Sequence, residues 1–286
     1  MKYRIPLIAL ISLLVSGLSS AAGTSTLEQI KNSETIRIGY RETEPPMSFV
    51  NKDKQPIGYS IELCLHIVKA VKSALKNPNI ATRYVPVTAS NRFEALRNNS
   101  IDILCGSTTK TLSRSELVDF TQLTFITGAA FLSLRSTKVD GIPDLQGKKV
   151  AVVKDTTTMA VLEKTLKKEG SDAQVIVVDS ASEGMDLVTK GEVAAFSSDQ
   201  IVLIGLVVTH EDGKKFAVTE EVFSFEPFAL AVRQNDAEFR LVANRVLSRL
   251  SRSKEIVQVY RQWFGKYITE VPALLEALYI LNATPE

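Results

Sequence analysis

The feature that most constrains this chain is an alternation of strand-like and helix-like segments that runs through twice. In the first round Thr35–Tyr40 alternates apolar and polar residues, as a half-buried strand does. Residues 61–75 carry Leu63, Ile67, Val68 and Val71 on one side of a helix, 81–87 read as a strand, 91–98 as a helix and 101–105 as a short apolar strand. Ser60 and Ser90 precede the two helices and are expected to cap them. In the second round strands are expected at 150–153, Gln174–Val178 and 193–196, and helices at 159–168 and 182–190. Strands joined by helix-length crossovers form mainly parallel sheets, so the fold class is α/β. A short helix at 26–32 and a hairpin turn at 49–56 precede and interrupt the first round. Strands at 216–220 and 229–232 and helices at 236–251, 254–264 and 272–281 follow the second. Between the rounds, 115–131 reads as an aromatic, glycine-bearing connection. Two such units connected twice form a cleft with strand ends facing across it, the expected place for a small-molecule site.

The stretch 102–114, DILCGSTTKTLSR, sits at such a strand end. An apolar run stops at Gly106, and Ser107, Thr108 and Thr109 then offer hydroxyls and backbone N–H groups, with Arg114 shortly after. Neutral donors beside a guanidinium suit a carboxylate, which Arg grips through both oxygens. Strand ends of open α/β sheets are where ligands bind. Read alone, the stretch serves equally as a hydroxyl-rich helix cap followed by a solvated arginine. A second hydroxyl cluster, DTTT at 155–158, opens the first helix of the second round.

The N-terminus is expected to be a cleaved secretory signal over 1–22: Lys2 and Arg4 precede an apolar run at 5–18 and the small residues Ser19, Ser20, Ala21 and Ala22. No cysteine follows the run, so a lipid attachment point is not expected. Of the 34 basic residues two leave with the signal, which balances the 32 acidic ones and gives no electrostatic case for nucleic acid or anionic membranes. Cys64 and Cys105, the only cysteines, could form one disulfide in an exported protein or pack as free apolar side chains. With His66 and His210 isolated from one another, no metal site, Cys/His catalytic pair or cofactor is expected.

In order and spacing these pieces resemble the periplasmic amino-acid-binding proteins of ABC importers (solute-binding protein family 3): RIGY at 37–40, PPMSF at 45–49, IGYSIEL at 57–63, NRFEAL at 91–96, DILCGSTTKTLSR, VDFT at 118–121, DLQGKKVAVVKDTTT at 144–158, GEVAAFSSD at 191–199 and YRQWFG at 260–265. Through Arg41, the TASNR stretch at 88–92 and CGSTT, the chain is most similar to the glutamate/aspartate binders. The resemblance implies a two-lobed type II binding-protein fold, each lobe a mainly parallel sheet flanked by helices, with the ligand cleft between them. Lobe 1 would comprise 23–127 plus 230–286 and lobe 2 would comprise 128–229, with hinges near 124–130 and 226–231. It implies a monomeric periplasmic receptor that delivers an acidic L-amino acid to a membrane permease, and no catalysis.

The implied roles transfer position by position. Ser107, Thr109, Arg114, Thr156 and Thr157 would hold the ligand α-carboxylate, and Asp199 its ammonium. Tyr59 would lie against the ligand side chain, and Arg41 would face its distal group, with Ser90 and Arg92 beside it. Asp155 stands where relatives have glycine and Met47 where many have phenylalanine; a histidine common near 181–182 is missing. Two other readings share the fold: a lyase like cyclohexadienyl dehydratase, for which Glu44 would be the general acid, and a sensor whose closed form touches a membrane receptor.

Overall fold

The computed structural model describes residues 24–266, 268 and 270–286; the expected signal at 1–22 lies outside them. Helix α1 (Thr26–Ser33) is capped by Ser25 and leads into strand β1 (Thr35–Tyr40). A three-stranded hairpin sheet follows, β2 (Thr43–Glu44), β3 (Ser48–Val50) and β4 (Pro56–Ile57), then α2 (Tyr59–Ala74), β5 (Ala81–Pro86), α3 (Arg92–Arg97), β6 (Ile103–Cys105) and the short α4 (Leu112–Ser115). The expected connection at 115–131 is instead two long strands, β7 (Asp119–Thr127) and β8 (Ala129–Leu134), broken only at Gly128. Its aromatic and β-branched residues suit a pleated, half-buried surface. The second round supplies β9 (Lys149–Val153), α5 (Thr157–Glu169), β10 (Gln174–Val178), α6 (Ala181–Thr189), β11 (Ala195–Asp199), α7 (Gln200–Thr209) and β12 (Phe216–Val218). Strand β13 (Glu226–Val232) and helices α8 (Ala237–Arg252), α9 (Glu255–Phe264) and α10 (Ala273–Asn282) close the chain.

The strands form two five-stranded sheets, in the orders β5-β1-β6-β13-β7 and β10-β9-β11-β8-β12. In each, three strands pair in parallel through helical crossovers, and two antiparallel strands complete one side. The sheets are thus only partly parallel, because the chain passes between lobes along strands that run against their neighbours. Strand β13 pairs with β7 from Glu226 onward. None of the helices among the described residues is long and apolar enough to cross a membrane.

Helices α2, α8, α9 and α10 cover one face of the first sheet around a core that includes Ile36, Ile38, Ile67, Phe228, Phe239 and Phe264. Gly58 rather than Ser60 precedes α2, at φ 136°, where an added Cβ would lie 2.4 Å from the Met47 carbonyl oxygen. The Ser60 hydroxyl donates instead to the Gly106 carbonyl at 2.9 Å, tying α2 to the loop after β6. Cys64 and Cys105 form a disulfide across the same junction, so the loop after β6 is fastened to α2 twice. Asp102, fully buried at the foot of β6, accepts from Arg37 at 2.7 Å and Arg233 at 2.9 Å, which satisfies its charge and fixes the strand at its other end.

Candidate functional site

The two sheets point the ends of β1, β6, β9 and β11 at one another, and a small cavity of about 20 Å³ lies between them. Its walls include Arg41, Glu44, Arg92, Ser107, Thr109 and Arg114 from the first lobe and Thr156, Thr157 and Asp199 from the second. Eight of the ten expected residues therefore meet at one place. Tyr59 and Ser90 do not line it.

Tyr59 is fully buried in the first lobe. Its hydroxyl donates to the Thr124 carbonyl at 2.9 Å and lies 3.0 Å from the Tyr279 hydroxyl, while its ring meets Phe125 and Phe264 edge-on. Being at the first turn of α2, it points down into the core instead of across the cleft. Ser90 does not cap α3, whose capping position is held by Asn91, with its side chain turned to the Thr88 N–H and not to the helix; the Ser90 hydroxyl donates to Asp155 Oδ2 on the other lobe at 2.5 Å. Asp155 accommodates the left-handed backbone that suits glycine (φ 57°) and lies at the rim, with its carboxylate turned to Ser90.

Arg41 and Glu44 form a buried ion pair at 2.9 Å, with side-chain exposures of 7% and 10%. The second Glu44 oxygen accepts from Ser107 at 2.5 Å. The loop that carries Glu44 abuts the second lobe: at Gly205 of α7 a Cβ would lie 2.1 Å from the Pro45 carbonyl oxygen, so only glycine permits this approach. Arg92 donates to the Ala89 carbonyl and, across the cleft, to the Asp155 carbonyl at 3.2 Å. Burial, reinforced by Arg114 and Arg41, pulls its pKa down to about 9, which leaves it charged at neutral pH. Arg114 is held by the Thr109 carbonyl at 2.8 Å; burial lowers its pKa, opposed by Glu226 and Asp199.

Glu226 is the residue the sequence reading passed over. It begins β13 at the return crossing, and one of its oxygens accepts from Thr109 at 2.6 Å and from Thr157 at 2.7 Å, one hydroxyl from each lobe. Its other oxygen accepts from Ser224 at 2.7 Å. The signal was its position in the expected hinge, but the partners become visible only when both crossings are side by side. Thr156 caps α5, accepting from the Met159 N–H, and Thr156 and Thr157 line the cavity, so the start of a helix, where anions are favoured, borders it.

Two buried polar atoms of this lining have no partner among the described residues: Asp199 Oδ1 and Arg92 Nε. Burial, with Glu226 and Glu44 nearby, pushes the Asp199 carboxyl well above the usual carboxylate range, despite the opposing pull of Arg114 and Arg92. An unpaired acceptor and an unpaired cationic donor in one cavity are what an ammonium and a carboxylate would satisfy.

Residues 36–266 match the bacterial extracellular solute-binding proteins of family 3. The L-glutamate/L-aspartate-binding protein of Pseudomonas aeruginosa is 31% identical over 246 residues, covering 86% of this chain and 82% of that one. The glutamate/aspartate import solute-binding protein of Salmonella typhimurium is 28% identical over 262 residues, covering 88% and 87%. Among solved structures, an ancestral arginine-binding protein bound to arginine superposes with a TM-score of 0.72 at 27% identity, covering 81% of this chain and 99% of that one.

Proposed function

The chain belongs to the bacterial extracellular solute-binding proteins of family 3, and we propose that it captures an acidic L-amino acid, glutamate or aspartate, in the periplasm and delivers it to an ABC permease. The observation that carries this reading is the pair of unpartnered buried atoms, Asp199 Oδ1 and Arg92 Nε, in a cavity that also holds Arg41 and Arg114. Asp199 takes the ammonium. Arg114, Thr157 and the first turn of α5 take the α-carboxylate, and Arg92 with Arg41 faces the side-chain carboxylate. The glutamate- and aspartate-binding relatives support the same ligand class.

The cavity is about the size of one water molecule, so the lobes must part to admit an amino acid and close again over it. Only the closed form brings the arginines of the first lobe and Thr157 and Asp199 of the second to one ligand, so the ligand favours closure. The lyase reading draws no support from Glu44, which is tied into an ion pair with Arg41 and takes a hydrogen bond from Ser107.

The test is a thermal-shift screen of residues 23–286, unfolded and refolded to remove carried-over ligand, against amino acids and small dicarboxylates. Ligand at 100 times its dissociation constant stabilises by about 2.7 kcal/mol, enough for a shift of several degrees. Shifts with glutamate or aspartate are the expected result. Shifts confined to apolar or basic amino acids would keep the family role and overturn the ligand class.

A further inference from the structure

The proposed acidic ligand meets a carboxylate that is already in place. Glu44 lines the cavity, pairs with Arg41 at 2.9 Å and accepts from Ser107 at 2.5 Å, so the cation nearest the expected side-chain subsite carries a resident counter-ion. Around it the lining and hinge supply three guanidiniums, Arg41, Arg92 and Arg114, against three carboxylates, Glu44, Asp199 and Glu226. Glu226 is engaged by hydroxyls from both lobes and Asp199 is reserved for the ammonium, which leaves Glu44 as the acid that a ligand side chain meets.

A side-chain carboxylate placed there finds Arg92 and Arg41 as donors but also faces Glu44 as a like charge. A side-chain amide presents a carbonyl to the same guanidiniums and N–H groups to Glu44, with no repulsion. We propose that Glu44 is a specificity-determining residue that opens the side-chain subsite to the amides of the acidic amino acids, glutamine and asparagine, alongside the acids. The inference rests on the reading that the Arg41 end of the cavity takes the ligand side chain.

The experiment is calorimetric titration of the refolded chain with glutamate, glutamine, aspartate and asparagine, in the wild type and in Glu44→Gln and Glu44→Ser. The wild type is expected to bind an amide within tenfold of its acid. Both variants are expected to move the acid-to-amide affinity ratio at least tenfold toward the acid, with melting curves that confirm folding. A ratio that moves less than threefold in the folded variants while the acids still bind overturns the role of Glu44 and leaves the ligand class standing. Absence of binding by all four ligands overturns both.

Discussion

Ser90 of the first lobe donates a hydrogen bond to Asp155 of the second, 2.5 Å away at the rim of the cleft, while the Arg92 guanidinium reaches the carbonyl of the same Asp155. The two lobes are thus held closed by the chain's own side chains. Both Ser90 and Asp155 are exposed, and a surface contact of this kind contributes about 1 kcal/mol or less, roughly a fivefold bias. Asp155→Ala should shift the ligand-free protein toward the open form, read as an increased radius of gyration in solution scattering. Ligand affinity should weaken by up to about fivefold, because the closed state is then less populated. An unchanged scattering profile would show that this contact does not bias closure.

Arg114 combines burial, a fixed position against the Thr109 carbonyl, and proximity to the first turn of α5. Its planar fork grips both oxygens of a carboxylate, which an ammonium does not. Arg114→Ala should weaken binding at least 100-fold, and Arg114→Lys at least tenfold, by calorimetry. Lysine restoring full affinity would reduce the role to one of charge alone.

Asp199 has a proton-linked signature. Its carboxyl is raised by burial and by Glu226 and Glu44, so the ligand-free protein holds the proton over an interval where the unfolded chain has lost it. Stability of the ligand-free protein therefore falls as pH rises through that interval. In the proposed binding mode the ligand ammonium pairs with the ionised form, so affinity should rise with pH over the same range, with release of a proton measurable by titration in buffers of different ionisation enthalpy. Asp199→Asn should flatten both dependences, raise the ligand-free melting temperature by a few degrees at neutral pH, and abolish the ligand-induced shift.

What was legible in the sequence was local. Thr35–Tyr40 and Gln174–Val178 are strands over the expected residues because alternation and β-branched content lie within each segment. The hydroxyl clusters at 107–109 and 156–157 come together because each follows a strand whose end points into the cleft. What was hidden depends on distant partners. Tyr59 turns inward because Tyr279, 220 residues later, completes its hydrogen bond, and Glu226 matters because Thr109 and Thr157 converge on it from opposite lobes. Ser60 and Ser90 have the composition of helix caps, yet tertiary acceptors, the Gly106 carbonyl and Asp155, claim both hydroxyls.

The placement of Tyr59 separates stability from binding. Tyr59→Phe keeps the ring contacts with Phe125 and Phe264 but leaves the Thr124 carbonyl and the Tyr279 hydroxyl short of a buried partner. A cost of about 1–3 kcal/mol is expected, read as a lower melting temperature, with ligand affinity unchanged within twofold. A large loss of affinity at unchanged stability would return Tyr59 to the pocket.

The Cys64–Cys105 bridge separates the two properties differently, because it anchors the loop that carries Ser107 and Thr109. Closing a 41-residue separation removes unfolded-chain entropy equivalent to about 4 kcal/mol. The double variant Cys64→Ser, Cys105→Ser should lose several degrees of melting temperature. The Ser60 bond to Gly106 remains as a second fastening of the same loop, so ligand affinity should fall by less than tenfold. Adding Ser60→Ala to that variant removes both fastenings, and affinity should then drop by considerably more than the sum of the two separate losses. Simple additivity of the two losses, measured by calorimetry, would mean that the loop is held by its strand alone.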